Sequence, residues 1–281
     1  MTRSPRAAAD PLERLRSRLA RLRAPLCAGI DPDPHAFPAG IPATAAGLER
    51  FTRGLVEAVA PHVVAVKFNA AFFEAFGSAG WAVLERARAD VPSEVFVIID
   101  AKRGDVATSA ERYAEAVLGR LAADGVTVSP YLGEDSVEPF VRHARAAFVY
   151  LLARTSNPSA ATFQDAPAFG HPLYERVAEW AAERWPDDRV GLVVGATTTD
   201  ELRRIRALVP ALPFLVPGVG AQGGDLAAAV ETCHGVSTPG LVTVSRAIAS
   251  ASSAPDWQRE VAAAADSWRH RMLEAGATLP A

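Results

Sequence analysis

The stretch Val95–Ala110, VFVIIDAKRGDVATSA, decides the fold and marks the site. Five apolar residues, Val95 to Ile99, run into Asp100; Lys102 follows two positions later and Asp105 three after that. A short run rich in Val and Ile reads as a buried strand. Residues i and i+2 of a strand share a face, so Asp100 and Lys102 are expected side by side. Asp105 falls beyond the strand, near the start of the next helix. A carboxylate, an ammonium and a second carboxylate are costly to hold together unless something exploits them, so the stretch reads as an active site.

Lysine usage points the same way. The chain carries 29 Lys plus Arg, of which only Lys67 and Lys102 are lysines. Where charge alone is needed this sequence uses Arg, so the two exceptions fall where a compact ammonium able to give up a proton is wanted. Lys67 closes another apolar run, His62–Asn69 (HVVAVKFN), which places both lysines at strand ends.

Further strands are expected at Pro25–Asp31, Val63–Phe68, Val95–Ala101, Val126–Pro130, Ala147–Ala153, Val190–Ala196, Phe214–Val219 and Leu241–Ser245. Helical patterns lie at Thr44–Ala60, Ala70–Ala89, Val106–Ala123, Ser136–Ala144, Leu173–Trp185, Thr199–Leu208, Asp225–Cys233 and Asp256–Glu274. Eight strands alternating with eight helices predict an α/β fold, a (β/α)8 TIM barrel, over a doubly wound open sheet. It would form one domain over 11–281 after a disordered tail, Met1–Asp10. Pro11–Arg23 sets Leu12, Leu15, Leu19 and Leu22 on one stripe with Arg elsewhere, an additional N-terminal helix. Such a helix can lie on a membrane, but packing against the barrel bottom or a neighbouring helix is the expected role. Thr155–Pro172 is the longest connection and the expected lid or substrate loop.

The bulk properties fit. The chain has 281 residues, 49% hydrophobic, with net charge -3, enough for a large core. Near-neutrality argues against a nucleic-acid groove, and no apolar run reaches the roughly 18 residues of a membrane span. There is no signal-peptide core, and a cytoplasmic protein is expected. Cys27 and Cys233 are too few for a disulfide framework or a zinc site. The six histidines form no metal-spaced pair; His35 and His171 alone are placed to reach the barrel mouth.

A barrel's active site lies at the C-terminal strand ends. Asp31 follows the first strand; Lys67 and Asn69 the second; Asp100, Lys102 and Asp105 the third; Ser156 and Asn157 the fifth; Gln222 the seventh; Arg246 the eighth. Pro217–Asp225, PGVGAQGGD, contains G-x-G-x-x-G, but in the seventh unit and without the acidic residue a dinucleotide site needs. Loops after strands seven and eight commonly hold phosphate, so Gly218, Gly220, Gly223 and Gly224 are expected to bring backbone N–H groups to an anion. Gln222 and Arg246 would add donors.

These motifs resemble orotidine 5'-phosphate decarboxylase. DAKRGD at Asp100–Asp105, VKFN at Val66–Asn69, GIDPD at Gly29–Asp33 and PGVGAQGGD carry the likeness. RTSNP at Arg154–Pro158 and SPYLGEDS at Ser129–Ser136 are similar to its longer bacterial, type 2 subgroup. The resemblance implies cofactor-free decarboxylation of orotidine 5'-monophosphate to uridine 5'-monophosphate, the last step of pyrimidine nucleotide synthesis. It implies a charged array of Lys67, Asp100 and Lys102, completed by Asp105 across a homodimer interface. Asp31 and Asn69 would face the ribose and neighbouring charges, Ser156 the pyrimidine, and Gln222 and Arg246, beside Pro217 and Gly220, the phosphate. Ser109 stands where the family usually has Thr, and Ser159 where Gly is common. Two alternatives stay open. One is a Mg2+-dependent keto-sugar-phosphate decarboxylase or aldolase of the same superfamily, which carries an acidic residue at the place of Lys67. The other is a non-catalytic barrel that binds nucleotide phosphates.

Overall fold

A computed structural model of the chain describes residues 10–143, 147–186, 189–277 and 279–280. Its core is a closed barrel of eight parallel strands: β1 Leu26–Ile30, β2 Ala65–Asn69, β3 Phe96–Arg103, β4 Gly125–Val128, β5 Phe148–Arg154, β6 Val190–Val194, β7 Phe214–Pro217 and β8 Leu241–Val244. Each strand pairs with its neighbours in sequence, and β8 closes on β1 through Leu26↔Val242 and Ala28↔Val244.

The helices are α1 Pro11–Leu22, α2 Ala45–Val59, α3 Ala70–Glu74, α4 Gly77–Asp90, α5 Ala107–Ala114, α6 Glu134–His143, α7 Ala161–Gln164, α8 Leu173–Arg184, α9 Thr199–Leu208, α10 Leu226–Thr232, α11 Arg246–Ala249 and α12 Trp257–Glu274. Among the described residues no helix is long and apolar enough to cross a membrane. The helix expected over Ala70–Ala89 is two, because Gly77 takes a left-handed φ of 63°. The one expected over Val106–Ala123 loosens after α5 into a π-helical turn, Glu115–Arg120. The helix expected to reach Ala144 runs into residues outside the described ones.

Strand alternation sorts the core into two compartments. Outward residues such as Ile30, Phe68, Ile99, Leu151 and Val242 join the helices in one continuous apolar layer. Inward residues at the base, Cys27, Ala65, Phe96, Ile98, Phe148, Tyr150 and Leu241, form a second cluster with Leu12, Leu15 and Leu19 of α1. The leucine stripe of α1 therefore stops the barrel bottom, as one of its expected placements had it. Its arginines are tied to the rim: Arg18 donates to the carbonyls of Val63 and Ala60, and Arg14 pairs with Asp124. Of the tail expected over Met1–Asp10, residues 1–9 lie outside the described ones. Asp10 is the N-cap of α1: its carboxylate accepts from Leu12 N–H (2.9 Å) and pairs with Arg189 (3.0 Å). Both cysteines are fully buried free thiols, Cys27 inside the barrel and Cys233 at the C-terminal end of α10 in the outer apolar layer.

Candidate active site

The same alternation carries four of the inward rows from apolar base to polar mouth. Cys27 leads to Asp31, Ala65 to Lys67 and Asn69, Phe96 to Asp100, and Leu241 to Thr243 and Ser245. Together these ends line a cavity of about 300 Å³. It brings together Asp31, Lys67, Asn69, Asp100, Lys102, Ser156, Asn157, Pro217, Gly218, Gly220, Gln222 and Arg246, from six of the eight strand ends.

The charged array sits at its floor. Asp100, 8% exposed, receives Lys67 Nζ on Oδ2 (2.7 Å) and Lys102 Nζ on Oδ1 (2.6 Å). Burial alone would raise the Asp100 pKa, but the charges of Lys67 and Lys102 outweigh it and hold the carboxyl well below the usual range. Burial would likewise lower Lys67, yet Asp100 and Asp31 keep its ammonium more basic than an ordinary lysine. Both groups are therefore ionised at neutral pH. Lys102 differs from its partners, because its side chain is half exposed toward the cavity. Asp31 Oδ1 is buried and has no hydrogen-bond partner among the described residues, an acceptor open to a ligand hydroxyl.

Lys102 does reach Asp100, though not by regular alternation. The β3–β4 register shifts between Ile99 and Arg103, and Lys102 has a left-handed φ of 47°. A β-bulge next to a site re-aims a side chain, and here it turns the lysine back over the carboxylate.

The loop after β7 is built by its glycines. Gly218 has φ 107°, and a side chain there would press on Gln222 Oε1 at 3.1 Å. Gly218 and Gly220 line the cavity, but Gly223 and Gly224 do not. Their N–H groups close the loop on itself, donating to Gly220 O (3.0 Å) and Gly218 O (2.9 Å). The expectation that all four present N–H groups to an anion thus holds for the first two at most.

Thr155–Pro172 contains α7 and a small hairpin pairing Pro167–Ala168 with His171–Pro172. Its neck is pinned where Gln164 accepts from Thr155 N–H (2.8 Å) and donates to Thr155 Oγ1 (3.0 Å), and where Arg154 pairs with Asp165 (3.2 Å). Ser156 and Asn157 are thereby held in the cavity wall.

Besides Gly223 and Gly224, two expected residues lie outside the cavity. Asp105 is half-buried beyond β3, its Oδ1 accepting from Val106 N–H (2.7 Å), and Ser109 stands in the first turn of α5. His35 and His171 do not line it either. Sequence reasoning missed Thr127, Thr155, Thr243 and Ser245, and the apolar lining of Leu152, Val193 and Leu215. Inward parity, counted from Leu241, would have found Thr243 and Ser245, and counted from Phe148 it would have found Leu152.

Among the described residues no group of three His, Cys, Asp or Glu side chains could hold a metal ion. An eight-stranded parallel barrel with a Lys–Asp–Lys array at its mouth has the architecture of a barrel enzyme. The chain belongs to the orotidine 5'-phosphate decarboxylase / HUMPS family, whose profile matches residues 24–260, and it is a carbon–carbon lyase. It is 42% identical over 265 residues to an orotidine 5'-phosphate decarboxylase of Dehalococcoides mccartyi, covering 92% of this chain and 95% of the relative. A Roseiflexus sp. protein of the same name is 46% identical over 231 residues, 81% and 84% of the two chains. The structure of Leishmania donovani OMP decarboxylase superposes with a TM-score of 0.82 at 36% identity, covering 95% of this chain and 98% of that one.

Proposed function

We propose that this chain decarboxylates orotidine 5'-monophosphate to uridine 5'-monophosphate and CO2 without a cofactor, the last step of pyrimidine nucleotide synthesis, in the cytoplasm. The observation that carries the reading is Asp100 held between two lysines at the floor of a cavity that also holds Gln222 and Arg246. Arg246 and Gln222, with the N–H groups of Gly218 and Gly220 beside Pro217, would grip the phosphate. Asp31 and Asn69 would face the ribose, and Ser156 the base.

Loss of CO2 leaves an electron pair at C6 in the ring plane, where the π-system cannot delocalise it. Lys102, the half-exposed lysine, supplies the adjacent positive charge and then the proton. Asp100 lies near the departing carboxylate, and two such charges about 4 Å apart repel by about 4 kcal/mol at an effective dielectric near 20. That repulsion is relieved as CO2 leaves, while stabilisation by Lys102 is the larger contribution. Phosphate contacts far from C6 order the loops around the base.

Asp105 would act in a homodimer, reaching the partner's cavity, since it lies outside its own. The exposed apolar side chains of Val106, next in the chain, and of Tyr131 and Leu132, after the neighbouring strand β4, support that arrangement. Ser109, next along α5, would join it at the interface. Mixing inactive Lys102→Ala and Asp105→Ala proteins should then restore about a quarter of wild-type activity, because one site in each mixed dimer is complete. No recovery would remove the shared site.

The reading is tested by following loss of the ultraviolet absorbance of orotidine monophosphate with chelator-treated protein. Turnover is expected to survive chelation. Turnover only with added Mg2+ would favour the keto-sugar-phosphate branch, and binding with no turnover a silent barrel.

A further inference from the structure

We propose that Thr127 is a positioning residue: its hydroxyl staples the bulge in β3 and thereby aims both Asp100 and Lys102. The inference rests on the functional reading above and adds to it a residue outside the charged array.

The argument begins with register. Ile99 pairs with Val126 and Arg103 with Val128, so three residues of β3, Asp100, Ala101 and Lys102, stand opposite one residue of β4, Thr127. Surplus residues in a ladder lose their backbone partners. Lys102 N–H recovers one from a side chain, donating to Thr127 Oγ1 at 3.0 Å. The same oxygen donates its own proton to Asp100 Oδ1 at 2.8 Å. A threonine hydroxyl has one proton and two lone pairs, so both bonds form together without conflict.

The staple fixes two things that the reaction needs. Lys102 sits at φ 47°, a left-handed conformation unfavourable for a residue with a side chain, and it persists only where surroundings impose it. The bond to its N–H is such an imposition. Asp100 in turn has Oδ1 shared between Thr127 and Lys102 Nζ, with Oδ2 left to Lys67. That division keeps the carboxylate plane set between the two ammonium groups. Thr127 is 1% exposed and has branched shape, so packing alone would accept valine in its place. The hydroxyl is the part that packing does not explain.

The experiment compares Thr127→Val, which keeps the shape and loses the hydroxyl, with Thr127→Ser, which keeps the hydroxyl. Thr127→Val should lower kcat about 10–100-fold, the range for losing a hydrogen bond to a charged group, with KM changed by less than about threefold. Thr127→Ser should restore most of the rate. Amide hydrogen exchange at Lys102, read on the same folded proteins without substrate, should be at least about tenfold faster in the Val variant and protected in the Ser variant. A wild-type kcat in Thr127→Val, or equal losses in both variants, would overturn the positioning role. Unchanged exchange at Lys102 would overturn the staple. Wild-type protein inert toward orotidine monophosphate would instead remove the functional reading, and the exchange arm then decides the staple alone.

Discussion

At the N-terminal end of the barrel the inward side chains are Cys27, Ala65, Phe96, Phe148 and Leu241, and three leucines of α1 complete the layer. At the other end the same strands present Asp31, Lys67, Asn69, Asp100, Leu152 and Ser245 to an open cavity. The base is closed by apolar contact, where each fully buried leucine contributes about 1.5–3 kcal/mol. The mouth encloses ions whose mutual attraction mainly offsets their own desolvation, so it adds little net stability. The comparison teaches that one set of strands divides its labour along its length. The base holds the fold together, and the mouth is free to be electrostatically expensive.

The division can be broken from either side. Lys102→Ala should lower turnover by at least about a thousandfold, while uridine monophosphate still binds and the melting temperature moves little. Turnover near wild type would contradict the proton-donor role. Leu15→Ala at the base should do the reverse, costing about 2–5 kcal/mol in denaturant unfolding with kcat unchanged in the folded protein. Arg246→Ala should weaken phosphorylated ligands about 10–100-fold, measured by titration with uridine monophosphate, and leave uridine binding as it is. Unchanged nucleotide affinity would refute the phosphate assignment. Asp10→Ala, which removes the cap of α1, should cost only about 1 kcal/mol.

A pH series sharpens the same contrast. Asp100 has its pKa depressed in the fold, so its contribution is present above the unfolded value near 4 and is lost as pH falls through the lower folded one. Lys67 has its pKa raised, so its contribution is complete below the unfolded value of about 10.4 and fades as pH rises through the higher folded one. The stability difference between wild type and Asp100→Asn should therefore stay constant from about pH 5 to 9 and shrink below about pH 4. A slope across the neutral range would mean that the pair is not ionised throughout it.

Much of this was legible in the sequence for definite reasons. The eight strands announce themselves because both faces are buried, which leaves unbroken runs such as Phe96–Ile99 and Val190–Val194. Asp100 and the two lysines stand out by charge against those runs. What stayed hidden depends on contacts between strands. The bulge at Asp100–Lys102 is a mismatch between β3 and β4, and nothing within β3 alone encodes it. Thr127 looks like any β-branched strand residue until its partner across the ladder is known. The self-closed N–H groups of Gly223 and Gly224 likewise follow from how the loop folds, which the glycine spacing leaves open.

The two enclosed thiols have a practical consequence. Burial pushes both Cys27 and Cys233 up to about 12, so in the native state neither offers a thiolate nor access to a reagent. Alkylation of this protein therefore counts openings of the chain. Because Cys27 lies within the barrel and Cys233 outside its wall, resolving the two labelled peptides tells a breach of the cylinder from a loosening of its outer helices.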